Sequence, residues 1–63
     1  SQTLALLRSL AERGPSTAAS LASTVGLPRS TAYHLLAVLS EEGFVVHLPA
    51  ARRWALGPMA FSV

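Results

Sequence analysis

Arg29, Ser30, Thr31, Tyr33 and His34 crowd hydrogen-bonding side chains into six positions, and Arg52 and Arg53 repeat the theme nearer the C-terminus. Guanidinium forks, hydroxyls and an imidazole are groups that meet phosphate oxygens and the edges of bases. They do not make a catalytic set. The only acids are Glu12, Glu41 and Glu42, and the two histidines fall in different segments without a convergent partner. Neither an acid–base pair nor an activated nucleophile is in view, so this segment is not expected to be an enzyme. There is no cysteine, which excludes disulfides and thiolate metal sites, and no cofactor is expected.

The first cluster must be positioned by residues 26–43, GLPRSTAYHLLAVLSEEG. At about 100° per residue, Ala32, Leu35, Leu36 and Leu39 form one apolar stripe flanked by Thr31 and Val38. Arg29, Ser30, Tyr33, His34 and Ala37 point the other way. This outer face has donors at its start and, at Ala37, a side chain too small to hold a duplex away. Glu41 and Glu42 oppose the helix dipole at the far end, leaving the N-terminal half positive. Phase alone fits an ordinary surface helix equally well.

The neighbouring segments decide between these readings. Gly26 can take a positive φ where a preceding helix ends, and Pro28 suits the first helical position because it needs no N–H partner there. Residues 17–25 read as a short helix, apolar at Ala18, Leu21, Ala22 and Val25, with Thr17 as N-cap. Two helices joined by so short a glycine turn form a helix-turn-helix, spanning about 17–42.

Residues 3–13 form an earlier helix, stopped at Gly14-Pro15, with Leu4, Leu6, Leu7, Leu10 and Ala11 across a broad apolar arc. Leu6 lies at the edge of that arc and is expected to be slightly exposed or to meet a partner. After Gly43 the periodicity changes. Residues 44–48 read as a strand ended by Pro49, and residues 53–56 can return antiparallel to it. The expected fold is mainly α with a small β-hairpin: a winged helix-turn-helix of three helices and a two- or three-stranded wing at about 44–57. Arg52 and Arg53 lie at the wing tip, suited to phosphates or a narrow minor groove, although strand residues alternate faces. Trp54 is expected in the core, and His47 as structural or exposed.

Sixty-three residues make one small domain, able to bury roughly 60% of the surface its unfolded chain exposes. The net charge is +2, and every basic residue is arginine. A lysine-free, alanine-rich composition also fits GC-rich coding, so the positions of the arginines carry more weight than their number. No apolar run approaches the roughly 20 residues that span a bilayer, and no signal peptide is evident, so a cytoplasmic protein with no membrane partner is expected. A start at Ser1 and a stop soon after Gly57-Pro58 read as a domain excised from a longer chain: a DNA-binding unit over 1–58, then at 59–63 the start of a linker helix to a missing C-terminal domain.

Taken together, the leucine-rich first helix, Gly26-Leu27-Pro28-Arg29-Ser30-Thr31, Leu35-Leu36, Leu39, Glu42-Gly43-Phe44-Val45 and Leu56-Gly57-Pro58 resemble the DNA-binding domain of the IclR family of bacterial transcription regulators. The resemblance implies a larger C-terminal domain that binds a small-molecule effector, operator binding as homodimers or tetramers, and mostly repression. It places Arg29, Ser30, Thr31, Tyr33 and His34 on the recognition helix and Arg52 and Arg53 in the wing. His34 departs from the arginine common before the paired leucines, Trp54 stands where tyrosine is typical, and Pro49-Ala50-Ala51 replaces the usual wing tip. Ser20 replaces the glutamate that often closes a capping box with Thr17.

The function expected is sequence-specific binding of double-stranded DNA for transcriptional regulation, with Arg29, Ser30, Thr31, Tyr33, His34, Arg52, Arg53 and Thr17 as contacts. The alternative is a winged helix that docks a protein partner through the same outer face.

Overall fold

The computed structural model describes residues 1–62 and shows three helices and a two-stranded antiparallel sheet. Helix α1 runs Gln2–Arg13, capped by Ser1, whose hydroxyl accepts from the Leu4 N–H at 3.3 Å. Its buried residues are Leu6, Ser9 and Leu10. The expected arc was therefore rotated. Leu6 is fully buried at the centre of the inward stripe, whereas Leu4 is 65% exposed and Ala11 lies outside. The physical reason is that α1 packs against both α2 and the hairpin, which turns the face carrying Leu6, Ser9 and Leu10 inward and leaves Leu4 on the opposite side. Across the same cleft Arg13 donates to the Thr24 hydroxyl at 2.6 Å.

Helix α2 spans Ala18–Val25 behind its N-cap Thr17, whose hydroxyl accepts from the Ser20 N–H at 3.1 Å. This is one half of a capping box, and Ser20 is too short to return the second bond. The helix stops at Gly26, left-handed at φ 81° and ψ 39°, a conformation that carries no steric penalty only for glycine. Gly26 and Leu27 both donate to the Ala22 carbonyl, at 2.8 and 2.9 Å. The chain then restarts as α3, Arg29–Glu41. Pro28 is the N-cap rather than the first helical residue: its ψ of 146° is still extended, while its carbonyl already accepts from Ala32 at 3.1 Å.

The hairpin pairs β1, Val45–Leu48, with β2, Arg53–Leu56, in the register Val45↔Leu56, Val46↔Ala55, His47↔Trp54 and Leu48↔Arg53. Residues Pro49–Ala51 make a 3-10 turn at the tip. On its free edge β2 also exchanges two backbone bonds with Ser16: Ser16 N–H to the Trp54 carbonyl at 2.9 Å, and Trp54 N–H to the Ser16 carbonyl at 2.7 Å. At its base, Gly57 N–H donates to the Phe44 carbonyl at 2.8 Å and Met59 N–H to that of Gly43 at 3.0 Å. Pro58–Phe61 is another 3-10 turn, where the sequence suggested the beginning of a linker helix; Val63, the end of that expected segment, lies outside the described residues.

One core joins these elements: Leu6 and Leu10 from α1, Ala18 and Leu21 from α2, Leu27 from the turn, Leu36 and Leu39 from α3, and Val45 from β1. Full burial of each leucine or valine is worth about 1.5–3 kcal/mol, enough to fix the phase of every helix. Leu35, Phe44, Trp54 and Leu56 cover its margins. Among the described residues no helix is long and apolar enough to cross a membrane.

Candidate nucleic-acid interface

Burial of Ala32, Leu36 and Leu39 fixes which side of α3 faces outward. Arg29, Ser30, Tyr33, His34 and Ala37 are all exposed, and Thr31 is half-buried at the margin. At about 100° per residue, Ser30, His34, Ala37 and Glu41 run along the middle of the outer face. Tyr33, 52% exposed, flanks this line on one side, and Val38, 44% exposed, flanks it on the other. Arg29, expected on the outer face, is instead about 110° from the midline, on the side of Tyr33 and nearly in phase with buried Leu36 seven residues on. It can reach across the face only because no turn of helix precedes it.

The start of α3 differs electrostatically from the other two helix starts. Ser1 and Thr17 each cap with a side-chain oxygen, whereas Pro28 provides no side-chain bond. The N–H groups of the first turn therefore point outward beside Arg29, at the positive end of the dipole. Glu41 and Glu42 lie about 18 Å further along the axis, too far to neutralise that end.

The wing brings a second set of donors. Arg53 is exposed opposite Leu48, on the sheet face shared with Val46 and Ala55. Arg52 is exposed in the turn and left-handed, at φ 54° and ψ 40°, the one non-glycine residue with positive φ among those described. The two arginines therefore leave the wing from different backbone geometries instead of alternating along a strand. Thr17 is half-buried, and its hydroxyl, though accepting from Ser20, keeps its own hydrogen free to donate.

His47 and Trp54, partners across the hairpin, stack with ring centroids 4.3 Å apart and planes inclined by 30°. Trp54 packs on the core margin, and His47 covers its outer side. Ser16 was missed by the sequence reading. A single bridging residue leaves no alternation to detect, and Gly14-Pro15 reads only as a helix stop. Its burial is also local in origin, because its hydroxyl donates back to the Gly14 carbonyl at 2.9 Å. Among the described residues no group of histidine and acid side chains could hold a metal ion.

A short-turn helix pair, a donor-bearing outer helix and an arginine-tipped hairpin define a winged helix-turn-helix, the DNA-binding domain of transcription regulators. The IclR helix-turn-helix domain matches residues 1–49, and the chain belongs to that family. The match ends before Arg52 and Arg53. The chain is 41% identical over 61 residues to the transcriptional repressor IclR of Escherichia coli and, to the same degree, to the acetate operon repressor of Salmonella typhimurium. It spans 95% of its own length but only 22% of theirs. Among solved structures, an IclR transcriptional regulator from Alicyclobacillus acidocaldarius superposes with a TM-score of 0.88 at 30% identity, covering 94% of this chain and 24% of that one. Pseudomonas aeruginosa HmgR gives 0.83 at 33% identity, over 94% and 25%.

Proposed function

We propose that this domain reads a specific duplex sequence with α3 in the major groove while the wing grips the backbone or the adjacent minor groove. The observation that carries the reading is the outer face and open start of α3: Ser30, Tyr33 and His34 exposed along the face, Arg29 exposed at the uncapped start, and Ala37 leaving room for base edges. Arg29 acts as the principal base or phosphate ligand. Ser30, Thr31 and His34 bind phosphate or base edges, and Tyr33 packs on sugar or a thymine methyl. Arg52, Arg53 and Thr17 bind the backbone. These contacts need no cofactor.

The parent protein acts in the bacterial cytoplasm as a repressor, binds its operator as a homodimer or tetramer, and carries a separate domain for a small-molecule effector. The names of the two repressors support the sign of regulation. Selection of bound sequences from random duplexes tests the proposal. A palindrome with half-sites about 10 base pairs apart, or a multiple of that, is the expected result. Affinity for it should fall steeply between low and physiological salt. Recovery of no preferred sequence, with a shallow salt dependence, would favour the protein-docking alternative.

A further inference from the structure

Trp54 occupies a junction between the wing and the helix-turn-helix. One edge of its backbone pairs with His47 and the other with Ser16. Its neighbour Arg53 carries one wing donor, and Arg52 follows at the tip. On the other side Ser16 adjoins Thr17, whose φ of −74° and ψ of 155° keep it extended. Antiparallel register then sets Thr17 opposite Arg53, so donors from two distant parts of the chain are spaced by a single bridge.

Beyond this junction the wing has little to hold it. No residue from Leu48 to Arg53 is buried, and a two-stranded hairpin is marginal in water by itself. The outermost side-chain contact on the core-facing side of the sheet is the stack of His47 on Trp54, since these two share that face with Val45 and Leu56. His47 is exposed, so it contributes nothing to the core itself. Its defined contact is with the indole.

We infer that the His47–Trp54 stack is a positioning device for DNA binding: it clamps the two strands at the wing's outermost inward-facing pair, so that Arg52 and Arg53 just beyond it meet the backbone in register with Thr17. The inference rests on the DNA-binding reading above. In it His47 is a positioning residue and touches no DNA. Without the ring the hairpin frays from its exposed tip back to the Ser16–Trp54 bridge, and the arginines reach the phosphates in only part of the population.

The variants His47→Ala and His47→Phe test this, because His47 is exposed and the core is untouched. Affinity for the selected duplex is measured across a salt series. His47→Ala should weaken binding roughly three- to tenfold, the range set by one aromatic pair, and flatten the salt dependence; His47→Phe should restore both. Trp54 is the only tryptophan, so its emission reports the stack without DNA and should change in His47→Ala. Wild-type affinity and salt slope in His47→Ala would overturn the inference. Equal losses in both variants would also overturn it, by making the imidazole a DNA ligand. If the unsubstituted chain retains no duplex at all, the DNA-binding reading fails and takes this one with it.

Discussion

Gly57 crosses Gly43 so closely that a β-carbon added to Gly57 would stand 2.5 Å from the Gly43 carbonyl oxygen and 3.1 Å from the Val45 nitrogen. Both are backbone atoms and cannot rotate away. This crossing locks the base of the wing to the end of α3, and Gly57→Ala must open it. The substitution should destabilise the domain by about 1–3 kcal/mol, the usual range for overpacking. Urea unfolding of the variant checks it, and an unchanged midpoint would contradict the packing described.

Leu6 and Leu4 separate the two possible phases of α1. Leu6→Ala removes a fully buried side chain and should lower stability by about 2–5 kcal/mol. Leu4→Ala alters an exposed position and should stay within about 0.5 kcal/mol of the parent. Parallel denaturation curves distinguish them, and the reverse order of losses would mean that α1 is rotated.

Arg29→Ala should weaken binding to the selected duplex by about 1–3 kcal/mol and relax preference at one base position. Gel-shift titration against the selected sequence and single-base variants reads both effects. Unchanged affinity would remove Arg29 from the reading face.

Replacing Arg52 and Arg53 together by alanine should weaken all duplexes alike and reduce the slope of log affinity against log salt by about 2. Loss of sequence preference with an unchanged slope would instead make the wing a reader of bases.

Arg52→Gly isolates the turn geometry. A left-handed backbone costs a non-glycine residue about 1–2 kcal/mol, so this variant should melt higher than the parent while binding DNA more weakly. A variant that loses stability as well would show that the arginine side chain supports the fold.

Most of the architecture was legible because it is written in local chemistry. Gly26 ends one helix, Pro28 precedes the next, Thr17 caps α2, and Pro49 ends β1, each for a reason visible within a few residues. The α3 stripe was legible for the same reason, with Ala32, Leu36 and Leu39 repeating at helical spacing. The phase of α1 was not. Its leucines outnumber the positions that one face can hold, and the choice among them was made by packing α1 against α2 and β2 at once, which no periodicity encodes. The Ser16 bridge depends on a partner 38 positions away in the chain. The His47–Trp54 stack required the hairpin register, which the turn at Pro49–Ala51 sets. Of the proposed interface, Ser30, Tyr33, His34 and Ala37 could be read onto α3's outer face, but the phase of Arg29, nearly that of buried Leu36, and the divergent backbones of Arg52 and Arg53 could not.

The bare start of α3 has a thermodynamic consequence. Its first-turn N–H groups have no side-chain cap, and a phosphate seated there would satisfy them. Binding and folding would then be linked through one helix terminus, and the melting temperature should climb with the logarithm of duplex concentration once sites are saturated. Amide exchange at Ser30 and Thr31 should slow more than at Leu4 or Ser20, whose N–H groups already have partners within the chain.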